Sequence, residues 1–431
     1  MSEVTFRLEQ TAECPRGRRL HGRSWPTSVL RVRTAINRRS RSHSYSPSSR
    51  SACSHLGLPL CASPRALPPA SILGCDFPSR SLTMSRLATP LDPVDGILDA
   101  LRSHDVVALC DGGHGCEQAY AFRVALIHDP RFAELGCDIV VESGNSRHQA
   151  TMDRFIRGED IPDDILRDTW QDTTQPHDVW DRPVFAGLFR EVRNLNARLP
   201  ESRRLRVLLG DPPIDWSAIS SRDDYTNAIR NLDRDACAVE IIQREVLAKR
   251  RRALVIYGGM HFLRRNPYWT FPDVAQAERS FREPPNTIVS LLERQGAKVY
   301  SIWTTVHTDL TSLQDSVATW PVPSLARIAG TVLGAASFRA YYPHTMFSIH
   351  DGAVHAVQVD PVRSSSMQEQ FNAILYLGPP RNLTWSQVPV STSAKAEYAT
   401  MRANRLRLAG MEQLMADRRG DSGEAEPGAV K

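Results

Sequence analysis

The stretch from Val106 to Glu142 constrains this chain more than any other. Two apolar runs, Val106 to Cys110 and the segment ending in Ile139-Val140-Val141-Glu142, flank a segment of helical periodicity. Apolar runs without alternation belong to strands covered on both faces, and two of them joined by a helix form the βαβ unit of a parallel sheet. In such sheets, polar residues at the carboxyl ends of strands face the crevice where ligands bind. Asp111, His114 and Glu142 occupy such ends, and the glycines of Asp111-Gly112-Gly113-His114-Gly115 permit a sharp turn there.

A helix starting near Cys116 places Cys116, Tyr120, Arg123 and Ile127 on one stripe. Helical side chains lean towards the N-terminus, so the Arg123 guanidinium extends up to the turn. One βαβ unit thereby supplies a carboxylate, an imidazole, a cation and a second carboxylate.

The same alternation continues downstream. Further strands are expected at Leu205–Leu209, ending before Gly210-Asp211-Pro212-Pro213; at Ala253–Tyr257, ending in Gly258-Gly259-Met260-His261; and at Lys298–Thr304, followed by His307. Helices are expected over Pro93–Ser103, Ser146–Arg157, Asp235–Arg250, Asn286–Gln295 and Ala394–Met415. This order predicts an α/β fold with a central, mostly parallel sheet and helices on both faces. The segment from about 160 to 202, with Trp170, Trp180, Phe185 and Phe189, reads as an inserted helical cap over the sheet edge. Gln149 and Asp153, on adjacent turns, point back towards a strand end. Residues 312 to 380 are less regular, with the apolar run ILYLG before Pro379-Pro380.

Composition divides the chain. The whole carries a net charge of +5, but residues 1–83 hold thirteen arginines against four acidic residues, leaving the remainder mildly acidic. Nucleic-acid binding by the folded part therefore has no support from charge. The Arg-, Ser- and Pro-rich residues 1–83 are expected to be a disordered leader, 84–415 a single α/β domain, and 416–431 a disordered tail. No apolar stretch is long enough for a membrane span, and neither Met1 nor Met84 opens a secretory signal. Four of the eight cysteines fall in the leader and four in the body, without a C-x-x-C pair, which suits a reducing, cytoplasmic compartment. Cys116, at a helix N-terminus, is a lesser nucleophile candidate with an expected depressed pKa.

These residues resemble the erythromycin esterase-like superfamily, whose relatives include ChaN-type haem-binding proteins. The pattern G-E-x-x-H at a strand end is matched by Cys110-Asp111-Gly112-Gly113-His114, with Asp111 in place of the Glu. The Arg on the following helix is matched by Arg123, the Glu ending the next strand by Glu142, and the later His by Gly258-Gly259-Met260-His261. Asp211 resembles a relative's acidic strand end. The resemblance spans roughly Val106 to Gly378 as scattered motifs. It implies a metal-free hydrolase of an ester or lactone, with His114 as general base, Glu142 orienting the imidazole or the water, and Arg123 and His261 stabilising an oxyanion. Asp111, Asp211 and Gln149 are the expected substrate-binding residues.

A second class stays open at this stage. His114, Glu142 and His261, with Asp111 or His307, form a conceivable ligand set for a divalent metal or haem iron, the ChaN-like alternative without hydrolysis. No close ligand pair such as H-E-x-x-H supports it, and Arg123 would repel a cation. The expected partner is a small-molecule substrate; composition leaves the oligomeric state open.

Overall fold

The computed structural model describes residues 86–230, 232–350 and 353–411. The leader, the tail and the end of the last expected helix lie outside the described residues. The strands are β1 (Val106–Cys110), β2 (Asp138–Asn145), β3 (Val207–Asp211), β4 (Ala253–Tyr257), β5 (Val299–Thr305), β6 (Ser324–Arg327), β7 (Thr345–His350), β8 (Ala353–Gln358) and β9 (Ala373–Tyr376). Seven form one sheet in the order β3-β2-β4-β1-β5-β9-β6, and β7 and β8 form a separate antiparallel pair. Every pairing in the large sheet is parallel except β6 with β9. The protein is thus an α/β protein built on a mostly parallel sheet flanked by helices.

Strand alternation explains why both faces are covered. Val107, Leu109, Ile139, Val141, Leu254 and Ile256 point to one face. There they meet α1 (Pro93–Ser103), α2 (Glu117–His128), α3 (Gln149–Ile156), α4 (Asp163–Gln171) and α5 (Pro183–Asn196) through residues such as Leu101, Phe122, Met152, Trp170 and Phe189. The intervening Val106, Ala108, Cys110, Val140, Leu208, Val255 and Tyr257 point to the other face. That face is covered by α6 (Arg234–Glu245) and α7 (Ile288–Arg294), through Val239, Ile242, Ile288 and Leu292. Trp170, Trp180, Phe185 and Phe189 all lie in the first cluster. Much of the 160–202 segment therefore belongs to the layer against that face, where its aromatic side chains pack with the strands.

Differences from the expected elements have local causes. β2 runs past Glu142 to Asn145, because its pairing with β3 is interrupted: Val141 faces Leu209 and Asn145 faces Asp211. The additional β2 residues form a bulge, a device that re-aims side chains at a sheet rim. The helix expected over Asp235–Arg250 stops at Glu245, and a short 3₁₀ turn leads to Arg250 in the left-handed region, φ 55°. The last helix, α8 (Ala396–Ala409), ends where Gly410 takes φ 69°.

The parallel register carries four strand ends to one rim. Cys110 pairs with Tyr257, and Val141 with Ile256, so Asp111, Gly258 and the last residues of β2 from Glu142 onward emerge side by side. Asp211 closes β3 beside Asn145. No helix among the described residues is long and apolar enough to cross a membrane.

Candidate active site

The turn after β1 fixes the first two polar groups. Gly112, Gly113, His114 and Gly115 have φ values of 81°, 77°, 25° and 101°. Glycine takes such values freely, whereas a side chain there costs on the order of 1–2 kcal/mol. His114 is held in this conformation by contacts on several sides. Its Nδ1 lies 2.6 Å from Oδ2 of Asp111. Its backbone carbonyl accepts a hydrogen bond from Arg182, and its ring meets Trp180 edge-on at 4.7 Å between centroids. Trp385 Nε1 donates to the carbonyl of Gly113 at 3.2 Å.

A carboxylate only accepts, so the Asp111 contact places the proton on Nδ1 of a neutral imidazole. Nε2 then carries the basic lone pair. That side of the ring faces Glu142 across Gly258: a Cβ on Gly258 would lie 3.6 Å from His114 Nε2 and 3.4 Å from Glu142 Oε2. One ligand-type atom from each of Asp111, His114 and Glu142 lies within 4.8 Å of the others.

Glu142 is buried and heavily partnered. Oε2 accepts from the Gly258 amide at 2.7 Å, and Oε1 accepts from Arg234 at 2.9 Å and lies 3.3 Å from Nε2 of His261. Burial alone would raise its pKa, but His261, His114 whenever it is protonated, and Arg234 hold it well below the usual carboxylate range. His261 is gripped at its other nitrogen by Asp235. Burial pushes that imidazole down, yet Asp235 and Glu142 raise it to about 10. Asp211, in contrast, is shifted upward, because its burial outweighs Arg234 and Thr174. It accepts from the Thr174 amide at 2.6 Å, the Thr174 hydroxyl at 2.7 Å and Arg234 Nε at 3.1 Å.

Six expected site residues therefore meet at one rim: Asp111, His114, Arg123, Glu142, Asp211 and His261. Several take parts that their residue types do not reveal. Arg123 reaches the turn as helix geometry requires, donating to the Asp111 carbonyl at 2.9 Å, while its Nε has no hydrogen-bond partner among the described residues. Burial lowers its pKa against the pull of Asp111. His261 has both ring nitrogens engaged by carboxylates, so it holds Glu142 and has no N–H left for an oxyanion.

Gln149 stands elsewhere. Its amide donates to the Val207 carbonyl and accepts from the Leu209 amide, both at 2.8 Å, and so occupies the open edge of β3. The bulge that carries β2 past Glu142 puts this helix beside the edge strand instead of above the rim. Cys116 departs from its expectation too: it is fully buried, and burial raises its thiol.

Arg234, Asp235, Thr174 and Arg182 were not singled out as site residues by the sequence, and Trp180 only as part of the aromatic face of the 160–202 segment. The pair Arg234-Asp235 opens α6, the last helix before β4, reached from β3 through a shorter helix over Arg222–Arg230; the available signal is that the N-termini of helices connecting parallel strands line the same rim. Trp180 and Arg182 lie in a connection, where sequence supplies no spacing rule.

The cavity bounded by Asp111, Arg123, Glu142, Ser143 and Trp180 measures about 10 Å³. Pockets that enclose cofactor-sized ligands span roughly 300–1,000 Å³, so a haem does not fit it. A divalent cation fits poorly as well. Donors around a tetrahedral Zn²⁺, each bonded at ~2.1 Å, stand roughly 3.4 Å apart, closer than the spread of these three groups. Asp111 is committed to His114, and Glu142 to three donors, two of them Arg234 and the cationic His261. The negative charge of the site is therefore already balanced without a dication, and His261 is unsuited as a ligand.

No family model matches this chain.

Comparison with curated proteins likewise gives no match. Among solved structures, a succinoglycan biosynthesis protein is 10% identical, with 70% of this chain and 96% of that chain covered at a TM-score of 0.41. A Bacillus cereus protein is 12% identical, over 70% and 97%, also at 0.41. ChaN of Campylobacter jejuni, described with cofacial haem binding, is 11% identical, over 51% and 88%, at 0.29. At these values the likenesses carry no inference about chemistry.

Proposed function

We propose that the rim is the catalytic centre of a metal-independent hydrolase of the erythromycin esterase-like type, acting on an ester or lactone. The observation that carries this reading is the Asp111–His114 pair: a carboxylate 2.6 Å from Nδ1 sets the tautomer in which Nε2 is the base. As water attacks the substrate carbonyl carbon, His114 Nε2 takes its proton and a C–O bond forms. The carbonyl π electrons move onto oxygen, where the Arg123 guanidinium, with an unspent Nε–H, supplies positive charge. When the electrons return, the bond to the leaving alkoxide breaks, and His114 delivers the proton to it.

Glu142 sits beside the imidazole as a fixed anion and stabilises the imidazolium that forms midway. Its own charge is held by Arg234 and His261, so it remains an anion through the cycle. The small cavity has room for about one water, and the bulk of a substrate lies outside it. The test is hydrolysis of a panel of esters and lactones by the full chain, by His114→Gln and in the presence of a chelator. The reading expects loss of turnover in the variant, with the fold kept, and no effect of the chelator. Full activity in His114→Gln, or loss on chelation, overturns it.

A further inference from the structure

We infer that Asp181 and Arg402 are positioning residues that hold His114 in place from a helix near the far end of the chain. Arg402, on α8, donates to Asp181 Oδ2 at 2.6 Å, and both side chains are buried. The Tyr398 hydroxyl, one turn earlier on the same helix, also donates to Asp181, as does Gln171 Nε2 at 2.8 Å. Asp181 is thus fixed from several directions.

Its two chain neighbours are the residues that touch His114. Trp180 packs edge-on against the imidazole and edge-on against Phe185, whose centroid is 4.8 Å away. Arg182 donates to the His114 carbonyl and lies over Gly115, where a Cβ would come within 2.7 Å of the guanidinium. Together they brace both the ring and the left-handed backbone of the turn. A residue held at φ 25° relaxes if its surroundings loosen, because the conformation is costly for any side chain. Releasing Asp181 from Arg402 frees one short segment to shift, and both contacts with His114 shift with it. Around the ring itself, the charged groups facing His114 are Asp111 and Glu142, with Arg182 at its backbone; α8 acts through none of these directly.

The experiment follows the His114 ring by NMR in protein carrying ¹³C-labelled histidine, with His114→Gln identifying its resonance. In Arg402→Met and Asp181→Asn, the pH midpoint of that ring moves by roughly half a unit or more, as expected when the charged and hydrogen-bonding surroundings of a titrating group are rearranged. Arg193→Met serves as the comparison. Arg193 ties the Phe155 and Gly158 carbonyls and Asp160 together in the same helical layer, away from the turn. It is expected to leave the His114 midpoint unchanged. Should Arg402→Met fail to fold, Tyr398→Phe removes a single hydroxyl from Asp181, and a smaller shift in the same direction is expected. An unmoved midpoint in the folded variants, or an equal shift in Arg193→Met, overturns the inference.

The turnover arm rests on the reading of His114 as the base: Arg402→Met then lowers kcat about tenfold with KM within about twofold, since misplacing a catalytic group costs rate more than binding. The ring titration needs no substrate. Failure of the hydrolase reading therefore leaves it standing, and its own failure leaves the hydrolase reading untouched.

Discussion

His261 reaches Glu142 across the rim, its Nε2 3.3 Å from Oε1, while Asp235 holds its other nitrogen. The imidazole is therefore a cation wedged between two carboxylates, and its charge state links this site to pH. Against an ordinary value of 6.5 it is raised to about 10, burial being outweighed by Asp235 and Glu142. Protonated His261 stabilises the fold fully below its ordinary value, and that contribution is lost as pH rises through about 10. Glu142 acts in the opposite sense. Its depressed pKa contributes stability above the ordinary 4.5, lost as pH falls through its lower folded value. Urea unfolding across pH should give a plateau with an alkaline fall, and His261→Gln should remove most of the alkaline fall while lowering the plateau.

Asp111 is expected to matter through the tautomer of its neighbour. In Asp111→Asn the side chain keeps its shape but can donate to Nδ1, which favours the proton on Nε2 and removes the basic lone pair. If the hydrolase reading holds, kcat falls roughly 10³–10⁴-fold with little change in stability. Nitrogen chemical shifts of the His114 ring measure the tautomer directly, and an unchanged tautomer would contradict the argument.

Arg234 joins two buried carboxylates, Glu142 at 2.9 Å and Asp211 at 3.1 Å. Arg234→Met leaves both without their cation, and removing one partner of a buried pair costs about 3–5 kcal/mol. Because burial already raises Asp211, neutralising that residue is the milder change. The double variant Arg234→Met/Asp211→Asn should recover part of the loss in denaturant unfolding.

Gly210 and Tyr257 make a test of packing beneath the rim. A Cβ at Gly210 would lie 1.9 Å from the Tyr257 hydroxyl and 3.0 Å from the Val141 carbonyl oxygen, so Gly210→Ala forces the strands apart. Overpacking of this kind costs about 1–3 kcal/mol. The Tyr257 hydroxyl is buried with no hydrogen-bond partner among the described residues, so Tyr257→Phe should be neutral or slightly stabilising and should relieve part of the Gly210→Ala defect. Thermal unfolding of the two single variants and the double variant measures the coupling.

Much of the framework was legible because burial on both faces leaves an unmistakable apolar run. Val106–Cys110 and Ala253–Tyr257 begin and end where the pattern places them. The irregular region after residue 312 was harder. There β6 runs antiparallel, and its four residues carry too few positions to show a period. Gln149 illustrates the opposite error: its helical spacing with Asp153 is real, and the two side chains do hydrogen-bond at 2.8 Å, but the β2 bulge turns that face towards the β3 edge.

Sequence alone placed Asp111, Asp211 and the segment before His261 at strand ends and Glu142 near the end of β2, which runs on to Asn145, because parallel strands deliver their carboxyl ends to one rim. Tertiary structure decided what those residues do there. Whether His261 faces a substrate or is locked by Asp235, and whether Trp180 and Arg182 brace His114, depends on contacts between segments far apart in the chain. Such contacts are set by how helices settle on the two faces of the sheet, and local spacing carries no record of that.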